Sequence, residues 1–425
     1  MDEMIVVGID IGTTKICTLI ARVETRQEDE SPQTPSSGGP FGGLRVLGVG
    51  IEPSMGIKKG SIVDLNAASQ AIARSVEKAQ RSAGLEITSA LVSLAGSHVS
   101  SVNSRGVVGI SGGVIDEEDV MRALEAAQAV AIPHNREIIH VIQRGFVVDG
   151  QEGIHTPVGM HGYRMEVEAH IITAAEATVE NLRQAVQAAG VQVNAFVLNP
   201  LASGEVVLSE TERQMGVVVC DIGGGTTDLA IYIEGDVWHT MVLGVGGNHV
   251  TNDVAHGLRL PISQAEEIKK QHGHAIAEEV GADETFSIRS FGEEGPTIVN
   301  RRELAMIIEA RMEEIFELVL QEIKRSGYDG LLPAGVVLTG GASLLPGSKQ
   351  LASKILGVPV RIARPENLSG LVDQLSNPSY STSVGLLHWA LMSYETTPVP
   401  GGKRPGKGGS LDWEAVKNFL KRLLP

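Results

Sequence analysis

Two short segments of the chain place an aspartate, glycines and paired threonines directly after an apolar run. The first is DIGTTK, residues 10–15, and the second is DIGGGTT, residues 221–227. Glycine lets the backbone come close to a phosphate, and backbone N–H groups and threonine hydroxyls can then donate to its oxygens. The leading aspartate can hold Mg²⁺ through water, because this ion keeps most of its hydration shell. One Gly-Thr-Thr turn is usually only a turn, but the repetition predicts a clamp that holds a phosphate chain from two sides.

The apolar runs before these turns, residues 5–10 and 215–221, are predicted to be buried strands. Because one strand-and-turn unit occurs in each half, we expect two similar domains that face each other across a cleft. The repeat is far too long for a solenoid. Further strands are expected at 17–23, 90–94, 137–148, 164–173 and 336–338, and helices at 67–83, 116–130, 177–189, 255–271 and 302–326.

The paired turns resemble the two phosphate motifs of the superfamily that contains actin, heat-shock chaperones and sugar kinases. The strand 336–338 and the glycines after it are similar to the superfamily's adenosine motif. The resemblance implies an α/β fold, namely an actin-like two-domain ATPase fold with a duplicated core, and it implies ATP and Mg²⁺ as cofactors. It assigns Mg²⁺, through water, to Asp10 and Asp221. The residues that it places around the nucleotide are Asp10, Gly12, Thr13, Thr14, Lys15, Asp221, Gly223, Gly224, Gly225, Thr226, Thr227, Gly246, Gly247, Glu266, Lys269, Gly340, Gly341, Ala342 and Ser343.

Two of these assignments have a plain alternative. Lys15 is a point charge that suits an anion, but lysines at strand ends are often simply solvated. Glu266 and Lys269 are three residues apart on one predicted helix face, where a surface ion pair would contribute only about 0.2–0.5 kcal/mol.

Catalysis is weakly indicated. Superfamily members that hydrolyse ATP usually carry Gln or Glu just before the second phosphate motif, where this chain has Asn199. Asparagine cannot act as a carboxylate base, and Glu205 could approach instead. The candidate catalytic residues are therefore Asp10, Asp221 and Glu205, and both slow hydrolysis and pure nucleotide binding stay open.

Composition and charge exclude several classes of function. The formal net charge of −16 opposes an encounter with a polyanion, so nucleic acid is not an expected partner. The two cysteines, Cys17 and Cys220, form no C-x-x-C pair, so neither a disulfide framework nor a zinc site is indicated. The start of the chain lacks a basic n-region, and no apolar run approaches the length of a membrane span. Any membrane contact is therefore expected to be peripheral.

The last residues, 410–425, have the pattern of an amphipathic helix that follows a Pro/Gly/Lys-rich linker, residues 396–409. A short tethered helix is not stable alone in water, so some surface must bury its apolar face. Its own domain or a partner protein could do so, but the flexible linker and nearby bases favour an anionic membrane. The predicted membrane-contacting residues are Trp413, Val416, Lys417, Phe419, Leu420, Lys421, Arg422, Leu423 and Leu424.

Within the superfamily, the chain resembles the FtsA family of bacterial division proteins. Residues 85–163 have the position and texture of the small α+β subdomain that this family inserts into its first domain. A chaperone would need a large substrate domain after the ATPase, and a sugar kinase would need a catalytic aspartate between the two phosphate motifs; the sequence indicates neither. The implied division is 1–84, 164–198 and 361–395 for the first domain, 85–163 for the inserted subdomain, 199–360 for the second domain with a smaller lobe at about 248–310, 396–409 for the linker and 410–425 for the membrane helix.

The family resemblance implies a scaffold that tethers the tubulin-like protein FtsZ to the cytoplasmic face of the cell membrane at the division site. It implies that the smaller lobe binds the C-terminal peptide of FtsZ, that the chain forms filaments with itself, and that the inserted subdomain recruits other division proteins. Arg301, Arg302 and Arg311 are candidate peptide contacts, although they could equally be solvated arginines. A sugar-kinase-like phosphotransferase and an actin-like ATP-binding protein of type IV pilus assembly are the alternatives.

Overall fold

Strand pairing organises the chain around two large sheets and one smaller sheet. The computed structural model describes residues 4–25, 41–129, 132–289, 291–292, 295–366 and 368–395. The elements up to residue 198 are β1 (Ile5–Ile11), β2 (Lys15–Thr25), β3 (Phe41–Pro53), β4 (Ile57–Lys58), β5 (Ser61–Ile62), α1 (Leu65–Ala83), β6 (Ser89–Leu94), β7 (Ser100–Gly109), α2 (Glu117–Gln128), β8 (Arg136–Val148), β9 (Gln151–Ile154), β10 (Arg164–Ala175), α3 (Glu176–Ala188) and β11 (Gln192–Leu198). Those that follow are α4 (Asn199–Val207), α5 (Glu210–Met215), β12 (Val217–Ile222), β13 (Thr227–Ile233), β14 (Asp236–Leu243), α6 (Gly247–Leu258), α7 (Ile262–His272), β15 (Thr285–Ile288), β16 (Thr297–Asn300), α8 (Arg301–Ser326), β17 (Val336–Thr339), α9 (Ser348–Leu356), β18 (Val360–Ile362), β19 (Leu368–Gly370) and α10 (Ser381–Glu395).

The two large sheets share one pattern at their centres, which confirms the predicted duplicated core. In the six-stranded sheet, with the order β11-β6-β1-β2-β3-β19, β1 is antiparallel to β2 and parallel to β6. In the five-stranded sheet, with the order β14-β13-β12-β17-β18, β12 is antiparallel to β13 and parallel to β17. Because β1 and β12 are buried on both faces, they are rich in Val and Ile. The two phosphate-type turns follow these two central strands.

A four-stranded sheet, with the order β7-β10-β8-β9, forms the inserted α+β unit. Helix α2 packs on it and begins at Asp116, whose side chain accepts from the backbone N–H of Asp119 in a capping box. Two strand assignments of the prediction need correction. The predicted insertion, 85–163, includes β6, but β6 pairs with β1 in the large sheet. The prediction gives 164–198 to the first domain, but β10 pairs with β7 and β8 of the inserted unit along its length. Both differences arise from pairing between strands that are far apart in the sequence, which local sequence patterns do not predict.

The predicted helix at 255–271 is wrong, because the structure has α6 and α7 in its place. Arg259 ends α6 with a φ of 54°, in the left-handed region, and Pro261 precedes α7. Proline has no N–H to donate and its ring clashes with the preceding turn, so the helix cannot run through it. The predicted helix at 302–326 is confirmed as α8, which closes at Gly327 with a φ of 79°.

The two halves are joined by helices α4 and α10, which cross very closely. A Cβ on Gly385 of α10 would lie 1.8 Å from the carbonyl oxygen of Ala202 of α4, so only glycine fits there. The predicted linker, residues 396–409, and the predicted amphipathic helix, residues 410–425, lie outside the described residues. None of the helices in the described residues combines the length and the apolar composition that a membrane span requires.

Candidate functional site

A cavity of about 540 Å³ lies between the two halves, where β1 and β12 end. It brings together residues that are far apart in the sequence, from both phosphate-type turns, from α7 and from the glycine turn after β17. The predicted nucleotide-contacting residues that line it are Asp10, Gly12, Thr13, Thr14, Lys15, Asp221, Gly223, Gly224, Gly225, Thr226, Gly247, Glu266, Lys269, Gly340, Gly341 and Ala342.

The turns after β1 and β12 meet across the cleft. A Cβ on Gly224 would lie only 2.1 Å from Oγ1 of Thr14, so any larger residue at 224 would push the turns apart. Gly340 closes the site from the third side: its φ is 83°, and a Cβ on it would lie 2.3 Å from Oδ1 of Asp221. Close approach requires glycine at both positions, and at Gly340 the positive φ requires it as well.

Three predicted residues do not line the cavity. The hydroxyl of Thr227 donates to the carbonyl of Val245, and the hydroxyl of Ser343 donates to the carbonyl of Gly340. Gly246 lies against the backbone of Gly223, where a Cβ would come within 2.6 Å of the carbonyl oxygen. All three residues therefore contact the backbone beside the cavity and support its turns without lining it.

The two leading aspartates are buried and held by hydroxyl groups. Asp10 accepts from Ser93 at 3.0 Å and from Ser383 at 2.7 Å, and Asp221 accepts from Thr382 at 2.9 Å. Burial raises the pKa of Asp10 against these hydrogen bonds and the charge of Lys15. Burial, with the neighbouring charge of Asp10, raises the pKa of Asp221 to about 6. A cation between the two carboxylates would relieve both effects.

Asp228 is a further acid at the cavity that the sequence reasoning missed. Its Oδ2 accepts from Oγ1 of Thr226 at 2.9 Å, while its Oδ1 is buried with no partner among the described residues. Burial and the charge of Asp221 raise its pKa well above the usual range. A signal existed, because Asp228 follows the paired threonines of the second turn as Lys15 follows those of the first.

These carboxylates fit Mg²⁺ held through water. No group of three or more metal-ligating side chains close enough for direct coordination occurs among the residues that the structure describes. An ion that keeps its own water shell does not need such a group, and it is stabilised by nearby carboxylates at a longer distance. When bound, Mg²⁺ would offset the negative charge of a phosphate chain beside three aspartates.

Lys15 is not a solvated lysine. Its ammonium donates to the carbonyl of Ser379 at 2.6 Å and to the hydroxyl of the same residue at 3.1 Å, and it lies 3.2 Å from the ring centroid of Tyr380. Burial lowers its pKa, while the charge of Asp10 opposes that shift. Ser379 and Tyr380 also line the cavity and were missed, because the polar segment before α10 gives no sign of what it folds against.

Glu266 and Lys269 form an ion pair of 2.6 Å in the cavity wall, so the surface-pair alternative does not describe them. Lys269 also donates to the carbonyl of Gly247 at 3.2 Å and to the hydroxyl of Thr251 at 2.9 Å. Burial opposes ionisation of Glu266, but Lys269 outweighs it and lowers the pKa of Glu266. Leu345 and Pro346 line the same end and supply apolar surface. This end suits a base and a ribose, whose flat face and hydroxyls need these two kinds of contact.

Asn199 and Glu205 differ in what they can do. Asn199 begins α4 and lines the cavity, and its Oδ1 is buried with no partner among the described residues. Glu205 does not line the cavity; its carboxylate pairs with Arg213 at 3.0 Å. The prediction that Glu205 could approach the phosphates is therefore wrong, because Glu205 lies outside the cavity and forms an ion pair with Arg213.

The candidate partner arginines all make contacts within the chain. Arg301 donates to the carbonyl of His272 and pairs with Glu284, Arg302 donates to the carbonyl of Val280, and Arg311 pairs with Asp253 and Glu314. Their role in binding a partner stays a prediction. The predicted membrane residues lie outside the described part of the chain.

Comparison with known proteins gives a consistent result. A family model described as cell division protein FtsA matches residues 218–385, and one described as the SHS2 domain inserted in FTSA matches residues 96–173, the stretch that holds β7 to β9 and most of β10. The cell division protein FtsA of Pseudomonas aeruginosa is 42% identical over 91% of this chain and 89% of its own length. That of Escherichia coli K12 is 38% identical over 92% of each chain.

Solved structures share the fold at low identity. The PilM-PilN type IV pilus biogenesis complex gives a TM-score of 0.60 at 17% identity, covering 91% of this chain and 98% of the other. MreB 5 of Spiroplasma citri bound to AMPPNP gives a TM-score of 0.56 at 15% identity, covering 93% and 98%. Together they confirm the predicted actin-like fold, and at such identity they show the fold alone.

Proposed function

The chain belongs to the FtsA family of bacterial cell-division proteins, and we propose that it is an ATP-binding scaffold that tethers FtsZ to the cytoplasmic face of the cell membrane. The observation that carries the nucleotide part is the convergence of the two Asp-Gly-Thr turns on one cavity between the halves. One protein of the same fold, MreB 5 of Spiroplasma citri, was solved both with ADP and with AMPPNP. ATP with Mg²⁺ is accordingly the ligand that we assign to the cavity.

The site residues take separate roles in this proposal. Backbone N–H groups of residues 13–14 and 224–226, with the hydroxyls of Thr13 and Thr14, would bind the phosphates, whereas the N–H groups of Gly12 and Gly223 already donate within their own turns. Asp10, Asp221 and Asp228 would hold Mg²⁺ through its water, and Glu266 with Lys269 would contact the ribose and base. The cavity offers Asn199 where a carboxylate base would be needed, so the chain would be at most a slow ATPase. Bound nucleotide would stabilise the closed arrangement of the two halves and so favour filaments.

The smaller lobe would bind the C-terminal peptide of FtsZ. It exposes apolar side chains on neighbouring elements: Ile298 on β16 is 74% exposed and Met306 on α8 is 60% exposed. An acidic, apolar peptide needs such contacts as well as cations. Arg302 lies one turn before Met306 on α8, which keeps it a candidate contact.

Membrane attachment would come from residues 410–425, with the linker holding the acidic body away from the lipid. The test is co-sedimentation of the full chain and of a chain ending at residue 409 with vesicles of anionic lipid, with and without FtsZ. The full chain should pellet and bring FtsZ with it, and the shortened chain should do neither. Pelleting of the shortened chain at the full-length level would refute the anchor.

A matched pair of variants makes this test sharper. Trp413→Asp places a charge on the predicted apolar face and should abolish sedimentation, whereas Asn418→Asp places the same charge on the polar face and should reduce it only slightly. Equal effects would show that added charge, rather than an apolar face, decides binding.

The alternatives have less support. The likeness to PilM is one of fold at 17% identity, whereas 42% identity to a division protein over most of the chain places this protein in cell division rather than pilus assembly. The phosphotransferase alternative would gain if the purified chain phosphorylated a small metabolite at enzymatic rates.

A further inference from the structure

A two-residue hairpin turn between β4 and β5 contains a lysine in a conformation that lysine rarely adopts. The turn residues Lys59 and Gly60 have φ values of 50° and 78°. Hairpins whose two central residues both have positive φ usually carry Asn-Gly or Gly-Gly there. Residues held in such backbone conformations cluster at functional sites, where the rest of the structure enforces them.

This turn lies at the phosphate end of the cavity. Gly60 lines the cavity, and a Cβ on it would lie 2.2 Å from the carbonyl oxygen of Ala95. Ala95 follows β6, which is parallel to β1 with Ile9 opposite Val92, so Ala95 comes beside Gly12 of the first turn. The base-binding end, with Glu266 and Lys269, is reached from the other side. A phosphate chain that extends from there therefore ends toward Gly60.

The side chain of Lys59 reaches from the first half toward the second. Its Cδ lies 4.0 Å from the point where a Cβ on Gly244 would stand, and Gly244 leads from β14 to Gly247 in the cavity wall. Lys59 is exposed, and its ammonium makes no hydrogen bond or ion pair with any residue that the structure describes. The ammonium of Lys15, by contrast, is already bound by Ser379 and Tyr380.

We propose that Lys59 binds the terminal phosphate of a nucleoside triphosphate in this cavity and thereby distinguishes it from a diphosphate. An ammonium that has no partner can give a short, charge-assisted hydrogen bond to a phosphate oxygen. Lys59 belongs to the first half and its side chain reaches Gly244 of the second. Binding of the phosphate by Lys59 would therefore also stabilise the contact between the two halves at the mouth of the cleft. The inference rests on the proposed function of the cavity as a nucleotide site.

The test compares three variants of the full chain by calorimetric titration with Mg²⁺ and either AMPPNP or ADP. Lys59→Gln removes the charge and keeps most of the side chain. Lys59→Gly removes the charge and places glycine at a positive φ, which suits the fold, so loss of binding there cannot come from a damaged turn. Lys58→Gln removes the neighbouring exposed charge and is the matched control.

Both Lys59 variants should bind AMPPNP at least about tenfold more weakly than wild type and ADP within about twofold of it, and Lys58→Gln should match wild type for both. The inference is overturned if the Lys59 variants bind AMPPNP like wild type, if they lose ADP to the same extent, or if Lys58→Gln loses as much. Each of these results would refute the role of Lys59 and would leave the proposed function of the cavity as a nucleotide site unchanged. That function fails separately if folded wild-type protein binds neither nucleotide.

Discussion

Thr13 and Gly225 belong to different halves of the molecule, yet a Cβ on Gly225 would lie 2.5 Å from Oγ1 of Thr13. Real Cβ atoms do not approach an oxygen so closely, so the contact exists only because residue 225 is glycine. The two turns therefore act as one unit. A substitution that pushes them apart should weaken the binding of an anion in the cavity.

Gly225→Ala should weaken MgATP binding at least about tenfold, because the added methyl group must displace Thr13 and with it the first phosphate-type turn. Gly109→Ala is the control, since a Cβ there would meet nothing within 4 Å. Both variants should fold, as judged by circular dichroism, and calorimetry reports the affinities. Unchanged affinity in Gly225→Ala would show that the contact between the turns is irrelevant to the ligand.

Asp221→Asn should stabilise the nucleotide-free protein at neutral pH but not at acidic pH. The pKa of Asp221 is raised from 3.8 when unfolded to about 6 when folded. The contribution of this group to stability is therefore full below pH 4 and is lost as pH rises through 6, by an amount on the order of 2–3 kcal/mol. Asparagine does not titrate, so the advantage of the variant should grow between pH 4 and pH 6 and then level off.

Urea denaturation at several pH values without Mg²⁺ measures this difference. Asp329→Asn, at an exposed position, is the control and should show no such trend. A variant that is less stable than wild type at pH 7, or a difference that does not vary with pH, would contradict the burial of charge at Asp221.

Asn199→Glu should raise the rate of ATP hydrolysis at least about tenfold, because it supplies a carboxylate base at a cavity position where the amide oxygen has no partner. Asn199→Gln has the same length without a base and should leave the rate unchanged. Phosphate release under saturating MgATP measures both. Equal rates in the two variants would mean that position 199 does not face the attacking water.

His170→Ala should destabilise the contact between the inserted unit and the second half. His170 is buried, and its Nδ1 donates to Oδ1 of Asn103 at 2.6 Å while its Nε2 accepts from Oγ1 of Thr240, on β14, at 3.0 Å. Burial lowers the pKa of His170 to about 3, so it stays neutral and these roles hold at physiological pH. Loss of both hydrogen bonds and of the packed ring should lower the free energy of unfolding by about 2–4 kcal/mol.

The matched control is His134→Ala, on an exposed residue of the same inserted unit, which should change stability by less than about 0.5 kcal/mol. Denaturant titration followed by tryptophan fluorescence reports the contact, because Trp238 lies on β14. If both variants lost the same stability, the interface would not depend on the histidine.

Local sequence patterns predicted much of the fold and of the candidate site. The turns after β1 and β12 and the long helix α8 could be predicted, because glycine, threonine and helical spacing act over a few residues. The break at Arg259 and Pro261 was also local and should have been found, since proline cannot continue a helix. The role of Glu205, by contrast, depends on its neighbours in the folded chain. Its ion pair with Arg213 is a tertiary contact that the sequence pattern does not predict.

Tyr380 is a second residue whose role depends on distant contacts. Tyr380 reaches Lys15 across most of the chain length, and no periodicity near residue 380 points to that contact. The pairing of β10 with β7 and β8 is likewise set by long-range hydrogen bonds. Sequence reasoning therefore located the phosphate-type turns but not the side chains that hold them in place.

Titration of the folded, full-length chain with ATP, in the presence and in the absence of Mg²⁺, tests the central claim most directly. The account predicts one saturable site per chain with Mg²⁺, and binding at least about tenfold weaker when the metal is removed, because the carboxylates of Asp10 and Asp221 then face the phosphates without a cation between them. A folded protein that gives no binding heat with MgATP at any concentration up to the millimolar range would contradict it.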